Sequence, residues 1–210
     1  LAAGAQGRAA EVQSFTLKQA ARTSTFWLIA VSYFFCCFSS MGLTQAPVPF
    51  LEDIGYPTQM AAAAIGMMGV GSAVGKAVFG WLCDKIHPKK AWAIGQAMEA
   101  CAALILININ ADSPVIFIWV FALLLGLGMG AWLPTLSMLT STNFGLLFYG
   151  AVFGAVNMVQ STGTATGPFF AGLMYDATGT YYWVFVTFAS LFAVGIPAIL
   201  FVKRPKSPAV

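Results

Sequence analysis

Apolar runs of membrane length recur six times along the 210 residues, separated by short polar stretches. A bilayer core about 30 Å thick takes roughly 20 apolar residues per helix, so each run predicts one transmembrane span. The predicted spans cover about 24–46, 59–83, 88–108, 114–139, 147–175 and 181–202, with 1–23 a cytoplasmic linker and 203–210 a cytoplasmic tail. Punctuation supports the division. Pro47 and Pro49 stop the first run, Thr58 behind Pro57 is placed to cap the second, and Pro88 opens the third as its first helical residue. Asn108 and Asn110 close the third; Ser113 and Pro114 repeat the cap-then-proline start for the fourth, which holds an internal Pro134, and Pro168 marks a kink in the fifth. Because the turns are short, consecutive helices are expected to be antiparallel neighbours. Residues 13–22 predict a short amphipathic segment on the cytoplasmic surface, with Phe15 and Leu17 dipping in and Lys18 and Arg22 out.

Charge then sets the orientation. Only 8% of residues are charged and 59% are hydrophobic, against the roughly 25% charged of a soluble domain. Arg8, Lys18 and Arg22 precede span 1, Lys85, Lys89 and Lys90 follow span 2, and Lys203, Arg204 and Lys206 follow span 6; the turns after spans 1, 3 and 5 hold no Lys or Arg. Basic residues stay cytoplasmic, so both ends are expected inside. The net charge of +3 reads as orientation and anionic-lipid contact, with no nucleic-acid partner. Cys36, Cys37, Cys83 and Cys101 lack metal-ligand spacing and read as packing residues; no metal or cofactor is expected. The chain begins at Leu1 with a polar stretch that is no signal peptide, so an upstream part is expected.

Pairs of glycines four apart, which let helix backbones approach closely in lipid, occur at Gly71 and Gly75, Gly126 and Gly130, Gly150 and Gly154, and Gly163 and Gly167. The junction of spans 2 and 3 carries Gly80, Asp84, Lys85, His87, Pro88, Lys89 and Lys90. It resembles the GxxxD(R/K)xGRR loop of the major facilitator superfamily, with His87 where that loop has Gly. Span 5 carries Gly154, Gly163, Gly167, Pro168 and Gly172, similar to the glycine-proline pattern of the central helix in facilitator halves, with Ala171 departing from Gly. The stretch from Gly167 through Asp176 and Tyr181 looks like a helix end in monocarboxylate and oxalate-formate-type porters. The resemblance implies an all-α membrane protein, six transmembrane helices forming the carboxy-terminal half of a major-facilitator bundle with a 3+3 inverted repeat. It implies an amino-terminal six-helix half as partner and a gating role for the Asp84 loop. It also implies a bacterial inner or plasma membrane location.

Lys76 is the one basic residue inside a span, where charge is costly and therefore suspect. It shares a helix face with Gly80 and Asp84 and lies about 12 Å deeper than Asp84. The resembling porters put a basic residue there, usually Arg, to bind a substrate carboxylate; Ser72 stands where they have an acid. Glu99 lies as far from the turn at His87 as Lys76 does, so a buried ion pair is geometrically available, as is snorkelling of Lys76 to the surface. Glu99 is also a candidate proton carrier. Tyr33, Cys37, Ser40 and Thr44 form a polar stripe on span 1; Trp132 and Met129 flank the glycines of span 4; Asn157, Ser161 and Thr164 make a similar stripe on span 5, with Gln160 beside it. Substrate-binding candidates are thus Lys76, Tyr33, Ser40, Thr44, Trp132, Asn157 and Gln160. There is no GxSG-type serine, and the lone His87 sits in a turn, so an enzyme is not expected. The leading reading is secondary active transport of a small organic anion by alternating access, with a proton or counter-anion as coupling partner. A self-contained six-helix channel or homodimeric carrier is the alternative.

Overall fold

The computed structural model describes residues 14–205; Arg8, Gln13 and Lys206 lie outside them. The described residues form a bundle of helices without strands: α1 Leu17–Ala20, α2 Ser24–Gln45, α3 Pro47–Asp53, α4 Thr58–Lys85, α5 Pro88–Ile107, α6 Ile116–Gly130, α7 Trp132–Phe144, α8 Tyr149–Thr178 and α9 Tyr182–Leu200. Spans 1, 2 and 3 are α2, α4 and α5; α6 and α7 together make span 4; α8 and α9 are spans 5 and 6. All except α8 are long and apolar enough to cross a bilayer on composition alone. With 30 residues α8 is the longest, about 45 Å, but Asn157, Gln160 and a run of Ser and Thr dilute its apolar character.

Several caps differ from expectation. Pro57, not Thr58, is the cap residue of α4, and Thr58 is already helical without a side-chain cap bond. Ser113 bonds Asn110 within the preceding turn, and α6 starts only at Ile116. His87 caps α5, its Nδ1 accepting the Lys89 N–H at 3.3 Å, with Pro88 in the first turn. Span 4 breaks at Ala131, ahead of Pro134, because a proline lacks the N–H that would bond the Gly130 carbonyl. Span 4 then continues past Leu139 to Phe144. In the amphipathic segment Phe15 is buried against Phe144, whereas Leu17 is exposed beside Lys18.

Consecutive spans are mostly not packing partners. Span 1 packs along span 5 and against span 6; span 4 packs along span 2 and against span 3; spans 3 and 6 pack on each other. Pairs 2–3 and 5–6 meet only slightly, and spans 1 and 2 barely touch. Exchanging span 1 with 4, 2 with 5 and 3 with 6 maps packing 1–5 onto 4–2, 1–6 onto 4–3 and 3–6 onto itself, the signature of two inverted triplets. Glycine makes the two long crossings possible. A Cβ on Gly75 would lie 2.4 Å from the Leu127 carbonyl oxygen, and one on Gly130 would lie 2.5 Å from the Gly75 backbone. On the related crossing, Gly163 and Gly167 meet the backbone of Phe34 and Phe38 in span 1. Gly80, Gly150, Gly154 and Gly172 have open space where a Cβ would be.

The two ends differ in charge. Arg22, Lys85, Lys89, Lys90, Lys203 and Arg204 collect at one end, where Lys89 Nζ donates to the Val202 carbonyl at 3.2 Å and Thr25 Oγ1 to that of Lys203 at 2.6 Å. Glu52, Asp53, Asp112 and Asp176 occupy the other, where the Tyr175 hydroxyl donates to Asp53 at 3.2 Å.

Candidate functional site

Span 2 presents Ser72 and Lys76 one helical turn apart to a pocket of about 310 Å³. Met129, Trp132 and Leu133 from the break in span 4 form one wall, and Asn157 and Gln160 from span 5 supply amides on the other. The lysine is exposed to this space, and among the described residues its ammonium makes neither an ion pair nor a hydrogen bond. A lysine at the bilayer centre costs about 2.5–3.5 kcal/mol on insertion scales, more without water access. The position is therefore compatible with a charged amine only because the pocket is open and polar on two sides.

Glu99 is engaged elsewhere. Its side chain is fully buried in α5 and points toward span 1, where the Ser40 hydroxyl and the Cys36 thiol both donate to Oε2, the thiol at 3.1 Å. The Trp132 indole N–H donates to Oε1 at 2.9 Å. Gly128 leaves room for the Glu99 side chain, since a Cβ there would lie 2.4 Å from its Cγ. No ion pair joins Glu99 to Lys76 among the described residues, so the buried pair that the hairpin geometry allowed is absent. Trp132 belongs to both places: its N–H holds the buried carboxyl while its ring borders the pocket.

Of the sequence candidates, the pocket brings together Lys76, Trp132, Asn157 and Gln160. Tyr33 and Ser40 are fully buried, and Tyr33 bonds Thr135 at 2.6 Å. Thr44 donates to its own helix at Ser40 and reaches Met129 Sδ at 3.9 Å. In this conformation none of the three lines the pocket. Leu133 does, although nothing in the sequence distinguished it from lipid-facing leucines. Cys36 had been counted only as a packing residue; its spacing of four from Ser40 was the available signal that both would face one partner. A second polar cluster carries no periodic sequence signal: Trp92 Nε1 donates to Ser32 Oγ at 3.0 Å, Ser32 Oγ to the Gly195 carbonyl at 3.0 Å, and Gln96 Nε2 to the Ser32 carbonyl at 3.2 Å, tying spans 1, 3 and 6.

At the basic end of spans 2 and 3, Asp84, Lys85 and Lys90 are exposed, and Asp84 makes no ion pair among the described residues. Lys89 instead reaches the carboxyl end of span 6, where a cation meets the negative end of the helix dipole. Partial burial, with Lys89 and Lys90 alongside, holds the His87 imidazole below its usual pKa.

Over residues 29–210 the chain matches the Major Facilitator Superfamily. It is similar to monocarboxylate transporter 12-B of Danio rerio, 30% identical over 142 residues that make up 64% of this chain and 28% of that protein. To monocarboxylate transporter 12 of Mus musculus it is 25% identical over 190 residues, 87% of this chain and 38% of the relative. To the lysosomal dipeptide transporter MFSD1 of Bos taurus it is 24% identical over 153 residues, 73% and 31% of the two chains. The chain thus spans about a third of the length of these relatives. The match covers nearly every described helix, and the inverted triplets and apolar spans agree with it. This multi-pass integral membrane protein belongs to the Major Facilitator Superfamily.

Proposed function

We propose that this six-helix bundle is one half of a secondary active transporter that moves a small organic anion of monocarboxylate type by alternating access. The observation that carries the reading is Lys76: an unpaired cation at mid-span, on a pocket whose remaining polar groups are neutral. Lys76 neutralises the carboxylate, Asn157 and Gln160 donate to its oxygens, and Trp132, Met129 and Leu133 receive the apolar remainder. Two of the relatives are named for monocarboxylates and one for dipeptides, and both kinds of solute carry a carboxylate. A second six-helix bundle closes the pocket, and the faces of spans 2 and 5 slide against it. The two bundles rock about the midplane site, with both termini of this half in the cytoplasm.

The test is uptake of radiolabelled small carboxylates into proteoliposomes that hold the whole transporter. Lys76→Ala is expected to cut uptake roughly ten- to a hundredfold, the equivalent of losing about 1.5–3 kcal/mol of charge-assisted bonding. Lys76→Arg retains the charge and should preserve part of the activity. Undiminished uptake by Lys76→Ala removes the assigned role.

A further inference from the structure

We infer that Glu99 is the proton-binding residue of this transporter, linked through Trp132 to the Lys76 pocket, so that anion and proton cross together. The inference rests on the reading of Lys76 just given. Glu99 is the sole acidic side chain buried inside a span among the described residues; Glu52, Asp53, Asp84, Asp112 and Asp176 are all exposed. A carboxyl kept at that depth without a cation is costly and marks function before structure.

The groups around Glu99 satisfy it in both protonation states. Ionised, it accepts from Ser40, Cys36 and Trp132. The Ser40 hydroxyl also lies 2.8 Å from the Cys36 carbonyl. A protonated Oε2 therefore donates to Ser40 Oγ, whose own O–H turns to donate a hydrogen bond to that carbonyl, while Oε1 keeps the indole N–H. A purely structural acid needs only one of these arrangements. No fixed charge stands beside Glu99 on any packed element. Span 1 offers the thiols of Cys36 and Cys37, span 4 offers Gly128 and the Trp132 N–H, and the one titratable residue of span 6, Tyr182, lies at its outer end. Span 2 offers Lys76, which lines the pocket that Trp132 borders and makes no ion pair with Glu99 among the described residues.

Charge balance then couples the two sites. Empty, Lys76 and an ionised Glu99 sum to zero. An anion on Lys76 leaves Glu99 as an uncompensated buried negative charge, and one proton restores neutrality for the crossing. Trp132 conveys the change: it bonds the carboxyl, borders the pocket, and is the first residue after the break in span 4.

The experiment compares wild type with Glu99→Gln in proteoliposomes holding the whole transporter. Wild type under an inward proton gradient of about one pH unit should accumulate carboxylate about tenfold, with proton entry followed by a trapped pH dye. Glu99→Gln, which can still accept from Trp132, should lose that accumulation and the proton signal while carboxylate exchange across the bilayer persists. Accumulation by Glu99→Gln equal to wild type overturns the inference. If the variant loses exchange as well, infrared spectroscopy of wild type with isotope-labelled glutamate decides: a carboxylic-acid band that titrates and disappears on anion removal supports proton binding at Glu99, and its absence at every pH refutes it. If wild type moves no carboxylate, the transport reading fails, and the same infrared titration still judges Glu99.

Discussion

Tyr33 lies flat on Trp92, ring centroids 3.8 Å apart and planes within 3°, and both side chains are fully buried where spans 1, 3 and 4 meet. Tyr33→Phe keeps the stack and removes only the bond to Thr135, so a thermal melt in detergent should show a loss of about 1 kcal/mol. Trp92→Ala empties the stack, leaves Ser32 without its donor, and should cost roughly 3–5 kcal/mol in the same assay. His87 gives a pH-dependent case. Its native pKa is depressed, so the unfolded chain takes up a proton first as pH falls. The stability it contributes is complete above the unfolded value of about 6.5 and declines as pH drops from there toward the native value. His87→Asn, which can still cap α5, should flatten melting temperature across that window. These residues also show what a sequence does and does not reveal. Lys76 stood out because a charge in a span is costly wherever it points. Tyr33, Ser40 and Thr44 made a stripe that reads the same whether it faces water or the polar atoms of another helix, and here it faces helices and its own backbone.

At the scale of helices, the crossing of spans 2 and 4 is the part least able to tolerate a side chain. Gly75 and Gly130 pack backbone to backbone, so neither neighbour can rotate out of the way. Gly75→Val or Gly130→Val should therefore abolish folded protein in size-exclusion chromatography, at a penalty above the roughly 1–3 kcal/mol usual for overpacking. Gly66→Ala and Gly80→Ala, with nothing within 4 Å, should leave the elution profile intact. Five of the six runs fall on helices long and apolar enough to cross a bilayer, because length and polarity are local properties of the chain. Their neighbours were not local. A short turn fixes where two helix ends lie and not which flanks touch, so the expected hairpin pairs 1–2, 2–3 and 5–6 gave way to crossings between triplets. Glycine spacing announced that close crossings exist without naming the partner: Gly71 and Gly75 found span 4, whereas Gly150 and Gly154 found nothing within the described residues.

For the whole molecule, the sides of the bundle are unequal. Over its most apolar stretch span 1 is 61% buried, against 28% for span 2, whose Ser72 and Lys76 face the pocket. If a second bundle faces that side, Ser72 and Asn157 border an aqueous cavity, whereas Val194, 55% exposed on span 6, meets lipid. Thiol labelling separates the two environments, because maleimides react with a hydrated thiolate and hardly at all with a thiol in hydrocarbon. The native background is small: Cys36, Cys37 and Cys83 are buried, and Cys101→Ala removes the exposed one. On that background in the whole transporter, Ser72→Cys and Asn157→Cys should react with a membrane-impermeant maleimide at least about tenfold faster than Val194→Cys, and a saturating small carboxylate should slow them. Alternating access adds a sidedness requirement, since one position must be reachable from the cytoplasmic side in one state and from the opposite side in the other. Labelling of Ser72→Cys from both sides of sealed vesicles, each suppressed by the carboxylate, meets it. Labelling no faster than at Val194→Cys would place span 2 against lipid and remove the pocket from the transport path.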